Sequence, residues 1–260
     1  LDALPISTDE MYGTTVFGSG TDAVCSFLDF ACQAGADGLV FDKEGNVNIT
    51  DQAYVDALNF MVENANADYT PSASLSTAAT ESQELFTNGK IAMQLNWSHQ
   101  YPAAVEALGA DKVGCAPMIA GSAGVGATTG PWYECVMKDS KNKEMAQKYV
   151  EFMYEHNEDY MDLTLKIAGR TSVYEEKGKE AGNEHTTAVL ETLNSEQSQA
   201  RPMVETWPQI EEVLVGVVES ALGGADINET LESAKAEIEA DRKSTRLNSS
   251  HITISYAVFC

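Results

Sequence analysis

The strongest constraint on the fold is a series of apolar stripes at helical spacing along the chain. The clearest stripe covers residues 209–222, where apolar side chains recur every three to four positions before two glycines, Gly223 and Gly224. Similar stripes and capping residues predict further helices over residues 21–34, from Thr50 or Asp51 to about Asn64, and over 81–88, 97–108, 143–155 and 228–238. These helices need a shared core to bury their apolar faces.

Short apolar segments lie between the predicted helices. Residues 39–41 and 47–49 flank an acidic turn and predict a hairpin, and further strands are predicted over 91–95, 113–117 and 132–137. The stretch 69–80 is rich in Ser, Thr and Ala and predicts a loop. The glycine-rich stretch 121–130 has no phosphate-binding Lys, and we interpret it as a crossover between domains. Helices mixed with short strands favour an α/β architecture.

The charge excludes several classes of function. The chain has 16 basic and 40 acidic residues, a formal net charge of −24, which disfavours binding to nucleic acids or anionic membranes. Its five cysteines and scattered histidines match no zinc or redox spacing, so no metal or cofactor is expected. A Cys115–Cys135 disulfide and buried free thiols are both compatible with the sequence.

The two ends differ in composition from the rest of the chain. Residues 241–260 contain few acids and many Ser and Thr, and both this segment and residues 2–7 can be encoded by common short-read sequencing adapters. We therefore expect residues 1–7 and 241–260 to be adapter-derived, with a biological sequence over about 8–240 that lacks residues on both sides. The alternative is a natural Ser- and Thr-rich tail ending in a β-strand.

One ordered set of motifs resembles a known protein family. Residues 85–93, LFTNGKIAM, followed by Trp97, resemble the F-x-x-G-K-x-A-M…W segment of family 1 extracellular solute-binding proteins, the maltose-binding-protein-like group. Other segments resemble the family in the same order along the chain: 38–45, 111–117, 130–146, 201–208 and 223–231. Each motif is short, but together they cover nearly all of residues 8–240.

The resemblance implies a type II periplasmic-binding-protein-like fold, with two α/β lobes and a ligand in the cleft between them. Residues 8–119 and 169–240 would then form most of the C-terminal lobe, and residues 120–168 part of the N-terminal lobe. The first segment of the N-terminal lobe, with its signal or lipid-attachment sequence, would be absent from this fragment.

The resemblance also implies a function. The chain would be the substrate-binding subunit of an ABC importer, acting as a monomer in the periplasm or as a cell-surface lipoprotein, that passes a sugar or oligosaccharide to permease membrane subunits. The alternatives are a sensor or adhesion module of the same fold, or a carbohydrate-active enzyme. The sequence contains no nucleophile elbow, zinc-protease, Walker or dinucleotide motif, and its many acids do not single out a catalytic pair, so no enzymatic activity is expected.

A sugar-binding site needs an aromatic surface for the apolar C–H faces and polar groups for the hydroxyls. All three tryptophans, Trp97, Trp132 and Trp207, follow strands or loops in positions where the family places cleft aromatics. Each could instead be a partly buried packing residue.

Three polar residues complete the predicted ligand-binding set. Arg170 could donate paired hydrogen bonds to a ligand, or form a surface salt bridge. Ser19 precedes a helix, where it could bind a ligand oxygen or cap the helix. Glu134 could accept bonds from hydroxyls, but it alternates with Tyr133 on a predicted strand, so only one of the two would face the cleft.

Overall fold

The computed structural model describes residues 11–131, 133–167, 169–177, 180 and 184–248. Within these ranges the α-helices are α1 Gly20–Gln33, α2 Gln52–Ala65, α3 Ala79–Thr87, α4 Tyr101–Leu108, α5 Lys143–Glu155, α6 Asn157–Thr164, α7 Thr171–Lys177, α8 Glu184–Leu193, α9 Trp207–Leu222 and α10 Ile227–Asn248. The strands are β1 Ala120–Gly121, β2 Gly124–Val125, β3 Thr128–Thr129 and β4 Gln199–Ala200, and 3-10 turns occupy Ser72–Ser76 and Ser98–Gln100.

The main core lies where α1, α2, α9 and α10 pack together. The Phe27 ring of α1 meets the Tyr54 ring of α2 edge-to-face at 5.8 Å between centroids, and both side chains are fully buried. The stripe predicted on α9 contributes five buried residues: Ile210, Leu214, Val217, Val218 and Ala221. The helical periodicity of the sequence therefore correctly identified the face that α9 buries.

The predicted hairpin is present as a short antiparallel bridge between Phe41 and Val47. Tyr54 ties this hairpin to α2, because its hydroxyl accepts a hydrogen bond from the Val40 N–H at 2.7 Å and donates one to the Gly38 carbonyl at 2.9 Å. Val40 has a φ of 65°, a region that a β-branched residue adopts only under strain. The bond from Tyr54 therefore stabilises an unfavourable backbone conformation.

The other predicted strands are largely wrong. Of residues 91–95, only Ile91 forms a strand-type bridge, in parallel with Tyr12, although the Ala92 and Met93 N–H groups also donate to the carbonyls of Tyr12 and Gly13. Residues 113–117 and 133–137 form no strand, since no neighbouring backbone within the described residues supplies the ladder of hydrogen bonds that a strand requires. Trp132, the first residue of the third predicted strand, lies outside the described residues.

The glycine-rich stretch 121–130 is not simply a loop. β1 and β2 form an antiparallel pair, and β3 pairs in parallel with β4, with Thr128 opposite Gln199 and Thr129 opposite Ala200. β3 leads from the main core to α5, and β4 leads from α8 back to α9. The segment that leads from the main core to α5 and the segment that leads from α8 to α9 therefore run side by side at β3 and β4.

Most predicted helices are present with adjusted ends. α5 has the predicted bounds, whereas α4 begins at Tyr101 rather than at Trp97, because a 3-10 turn intervenes and Pro102 favours the first turn of a helix. α10 continues ten residues past the predicted end at Ile238, and no Gly or Pro interrupts the sequence between Ile238 and Asn248. The short helices α6, α7 and α8 were not predicted.

The thiols are divided between the core and the surface. Cys32 is buried and Cys25 is partly buried, whereas Cys115 and Cys135 are exposed. Cys135 is a free thiol, so the disulfide that the sequence left open between Cys115 and Cys135 is not formed. No helix in the described part of the chain is long and apolar enough to cross a bilayer.

Candidate ligand-binding site

Trp97 lies at the end of an extended segment and immediately before the 3-10 turn Ser98–Gln100. Its ring stacks on Phe17 at 5.8 Å and 18°, and on His99 at 6.4 Å and 28°. Phe17 is buried, Trp97 is partly buried against the main core, and His99 is exposed. Phe17, Trp97 and His99, here called the Trp97 stack, therefore reach from the core to the surface.

A chain of side-chain amides fixes the backbone beneath Trp97. The Asn96 carbonyl oxygen accepts a bond from the Trp97 N–H at 2.9 Å, and the Asn96 amide donates to Gln94 at 3.0 Å. Gln94 donates in turn to Gln83 of α3 at 2.7 Å, and Gln83 donates to the Gln100 carbonyl at 3.1 Å. These bonds enclose the segment 94–100 and limit its freedom, so Trp97 has a defined position before any ligand arrives.

Charged groups from two other parts of the chain lie near His99. Burial lowers the pKa of His99, the nearby Lys166 ammonium lowers that pKa further, and the Asp22 carboxylate partly opposes this. Asp22 belongs to the first turn of α1 and Lys166 follows α6. The structure therefore brings three distant segments together beside the Trp97 stack. The sequence analysis missed Phe17, His99, Asp22 and Lys166, since no local pattern joins these segments.

Ser19 and Thr21 lie at the start of α1. Ser19 occupies the N-cap position with an extended backbone, but its side chain makes no capping hydrogen bond. Asp22, in the first turn, accepts a bond from the Ala79 N–H at 2.9 Å and joins α1 to α3. Helix capping, the alternative role considered for Ser19, is therefore not observed.

Arg170 is engaged with the end of α5 rather than with the Trp97 stack. Its guanidinium lies 5.0 Å from the centre of the Tyr154 ring and donates to the Tyr154 carbonyl at 3.4 Å. Its backbone N–H donates to the Asn157 side chain at 3.0 Å. A cation–π contact thus takes the place of the salt bridge considered from the sequence.

Within the described residues, Trp207 and Glu134 make no ring contact or hydrogen bond with the Trp97 stack. Trp207 is the first residue of α9 and packs, partly buried, against the main core. Glu134 and its neighbour Tyr133 are both exposed, so the expected alternation of one inward and one outward side chain does not occur. Trp132 lies outside the described residues.

Two surface recesses are well enough formed to measure, and neither contains a predicted ligand residue. One, of about 490 Å³, lies between the hairpin and residues 196–199, and the other, of about 600 Å³, lies between α9 and α10. In the part of the chain that the structure describes, no group of three His, Cys, Asp or Glu side chains could hold a metal ion. The Trp97 stack is therefore the best candidate for a binding surface.

Comparison with known proteins identifies both a sequence family and a fold. The sequence model of a family described as bacterial extracellular solute-binding protein matches residues 23–158, about half of the chain. Among solved structures, the maltose-bound MalE3 of T. maritima is 22% identical with a TM-score of 0.73, over 88% of this chain and 60% of that one.

Two further solved structures are similar over comparable lengths. An ABC transporter solute-binding protein of Thermotoga lettingae bound to α-D-tagatose is 20% identical with a TM-score of 0.79, covering 92% of this chain and 62% of that one. A solute-binding protein of Agrobacterium radiobacter in complex with ribitol is 22% identical with a TM-score of 0.72, covering 91% and 61%. The predicted type II two-lobe α/β fold is confirmed, and the chain spans about three fifths of the length of these proteins.

Proposed function

The chain belongs to the bacterial extracellular solute-binding protein family, and on this premise we propose that it is the sugar-binding subunit of an ABC importer. In this role the protein captures a sugar or oligosaccharide outside the cytoplasm and passes it to the membrane subunits of the importer. Maltose, tagatose and ribitol in the three similar structures make polyhydroxylated ligands the first class to test.

The observation that carries the proposal is the Trp97 stack. A sugar ring has apolar C–H faces that pack on aromatic rings, and its hydroxyls need donors and acceptors nearby. Trp97 supplies a ring fixed from below by Phe17 and by the amide bonds of segment 94–100. Because its position is already set, binding to Trp97 costs little ordering of the protein.

The charged and polar groups near the stack suit hydroxyl recognition. Asp22 can accept hydrogen bonds and Lys166 can donate them, while Ser19 has a hydroxyl that does not cap its helix. These residues join Trp97 in our proposed site. Trp132, Glu134, Arg170 and Trp207 stay predictions that mutation can test one at a time.

We also propose the division of the chain into lobes that the sequence suggested: 8–119 with 169–240, and 120–168. One feature supports it: the main core is built from α1, α2, α9 and α10, none of which lies in residues 120–168.

Binding without chemical turnover, monomeric action, and a location in the periplasm or on the cell surface complete the proposal. The location is supported by the extracellular description of the family, and binding by its solute-binding description. Any turnover of a bound sugar by the pure protein would contradict the non-enzymatic part.

The test is a thermal melt of the full-length gene product against a panel of mono- and oligosaccharides and polyols. A ligand present at a hundredfold excess over its dissociation constant raises the free energy of unfolding by about 2.7 kcal/mol. We expect such a shift with at least one sugar, and an unchanged melt with amino acids. A panel in which no carbohydrate or polyol produces a shift would overturn the proposed ligand class.

A further inference from the structure

Helix α1 has a polar stripe on an otherwise apolar helix. Cys25, Asp29 and Gln33 follow one another at intervals of four residues, so their side chains lie along one face. The opposite side of α1 is buried in the main core through Val24, Phe27 and Leu28. The polar stripe faces residues 120–130 and residues 199–201, here called the first and second crossing segments.

Asp29 holds the first crossing segment at β3. Its Oδ1 atom accepts two hydrogen bonds from Thr128, one from the backbone N–H at 2.6 Å and one from the hydroxyl at 2.7 Å. These residues lie 99 positions apart in the chain. Both bonds use the same carboxylate oxygen, which leaves Oδ2 as the atom that can carry a proton while both bonds remain.

Gln33 holds the same segment one helical turn further on. Its backbone carbonyl accepts from the Ala123 N–H at 2.9 Å, and its side-chain amide donates to the Gly126 carbonyl at 2.9 Å. The approach is close: a Cβ atom on Gly121 would lie 2.5 Å from the Gln33 carbonyl oxygen, so only glycine fits there. The first crossing segment is therefore attached to α1 at several points.

The second crossing segment is attached beside the first. The Gln199 side-chain amide donates to the Ala36 carbonyl at 2.8 Å, just beyond the end of α1. Arg201 contacts the Cys25 sulfur at 3.8 Å and pairs with Glu211 of α9 at 3.6 Å. The Arg201 guanidinium also lies close against Gly130, so a larger residue there would have to displace it.

We propose that Cys25, Asp29 and Gln33 form the seat on which the two crossing segments pivot, and that the protonation state of Asp29 sets how firmly they are held. Asp29 acts here as a positioning residue, since it touches Thr128 of the crossing segment and not the ligand surface.

The charges around Asp29 make it the group that titrates. Burial raises the pKa of Asp29 to about 6, and the Thr128 bonds and the Arg201 guanidinium only partly oppose this. Burial also raises the pKa of the Cys25 and Cys32 thiols to about 12, so both stay neutral. The other nearby charges are Asp22 on α1 and Glu211 on α9, which act on the Cys25 side of the stripe.

The direction of the effect follows from proton linkage. A carboxyl whose pKa is raised in the attached state binds its proton more tightly there than when it is hydrated. Protonation therefore favours the attached state, and rising pH weakens the attachment as Asp29 ionises around pH 6. The seat is firmest in mild acid and loosest above neutral pH.

Its consequence for ligand capture rests on the proposed function, because only a two-lobe binding protein would use the crossing segments as a hinge. The attachment can be measured without any ligand. A protein that binds no sugar would thus contradict the proposed function and leave this inference intact. A pH-independent attachment would contradict this inference and leave the proposed function intact.

The test is hydrogen–deuterium exchange of the full chain between pH 5 and 8, expressed as protection factors to remove the intrinsic pH dependence. The amides of Thr128, Gln199 and Arg201 report the crossing segments. Val217 and Val218, buried on α9, report global unfolding. We expect the protection of the crossing segments to fall by about tenfold or more as pH rises through 6, and to stay below that of α9.

Matched variants distinguish the effect of Asp29 on the exchange profile from the effect of other acidic residues. Asp29→Asn resembles the protonated side chain and should hold protection high at every pH. Asp56→Asn removes an exposed carboxylate of α2 that accepts a hydrogen bond from Gln52, and should leave the profile unchanged. Thr128→Val removes a bond that lowers the pKa of Asp29, so its midpoint should move to higher pH, while Thr128→Ser should restore the original midpoint.

Two results would overturn the inference. One is a pH profile of Asp29→Asn that is the same as that of the unaltered chain; if Asp29→Asn does not fold, an unchanged profile in Thr128→Val counts in the same way. The other is exchange of the crossing segments only together with α9, since they would then have no separate attachment to loosen.

Discussion

Helices α9 and α5 have similar apolar stripes but very different surroundings. On α9 the stripe is buried against α1, α2 and α10, with Leu214 and Val218 fully enclosed. On α5 no residue is buried, and Met145, Tyr149 and Phe152 are more than half exposed. Periodicity therefore predicts that a segment is a helix and which face is apolar, but only the neighbouring elements decide whether that face is covered.

The largest expected effect on stability is seen when a phenylalanine of the main core is replaced and the loss is compared with that of a phenylalanine on α5. Phe27→Ala should lower the free energy of unfolding by about 3–5 kcal/mol, because it leaves a cavity in the main core. Phe152→Ala should change it by less than about 0.5 kcal/mol, since the ring is 53% exposed on α5. Urea unfolding of the 260-residue chain measures both, and equal losses would show that α5 is as well packed as the core.

A second pair of variants, each lacking one tyrosine hydroxyl, makes the same comparison between the main core and α5. Tyr54→Phe removes the acceptor of the Val40 N–H, so we expect a loss of about 1–3 kcal/mol. Tyr149→Phe on α5 should have almost no effect on stability, because Tyr149 is exposed. Circular dichroism melts of the two variants would decide this, and an unchanged melt for Tyr54→Phe would argue against the role given to this bond.

The third prediction concerns Asp29, which joins the core to the crossing segments. In the unfolded chain its carboxyl titrates near 3.8, and in the folded chain near 6, so the folded state holds the proton more tightly. Its contribution to stability is present below about pH 4 and is lost as pH rises to about 7.

Asp29→Asn should therefore be more stable than the unaltered chain at pH 7.5 and similar at pH 4. The expected difference is about 1–3 kcal/mol, reduced by the remaining solvent contact of the side chain. Urea titrations at the two pH values measure it, with Asp56→Asn as the control. A variant that is less stable at pH 7.5 would reverse the sign assigned here.

The smallest effect is expected on the exposed face of α5. Lys148 pairs with Glu144 at 2.8 Å, one turn apart, and both side chains are largely exposed. Lys148→Ala should cost no more than about 0.5 kcal/mol, and added salt should remove the difference. A larger loss, resistant to salt, would indicate that this face packs against something.

The comparison also explains which elements the sequence predicted well. The bounds of α5 were predicted, and α9 was predicted to within two residues, because both have long regular stripes. Segments 113–117 and 133–137 look like strands in composition, but strands depend on partners that composition does not reveal. Helices α6 to α8 were missed; α6 and α7 have only eight and seven residues, too few for a clear periodic stripe.

The candidate site was only partly predictable for the same reason. Trp97 stands out in the sequence as an aromatic residue after a family-like motif. Phe17 lies far from Trp97 in the chain and stacks on it only through folding, whereas Gln94 and His99 are close in sequence but their contacts depend on how segment 94–100 folds against α3. The four-residue spacing of Cys25, Asp29 and Gln33 was visible, but the partners of their side chains lie 93 or more residues away.

The central claim, sugar binding at Trp97, is tested most directly by titration calorimetry of the full-length gene product with the sugar that gives the largest thermal shift. Trp97→Ala is compared with Tyr149→Ala, an exposed aromatic on α5. We predict that Trp97→Ala weakens binding at least tenfold at a temperature where the variant is folded, and that Tyr149→Ala binds normally. Unchanged affinity in Trp97→Ala, or equal losses in both variants, would contradict the account.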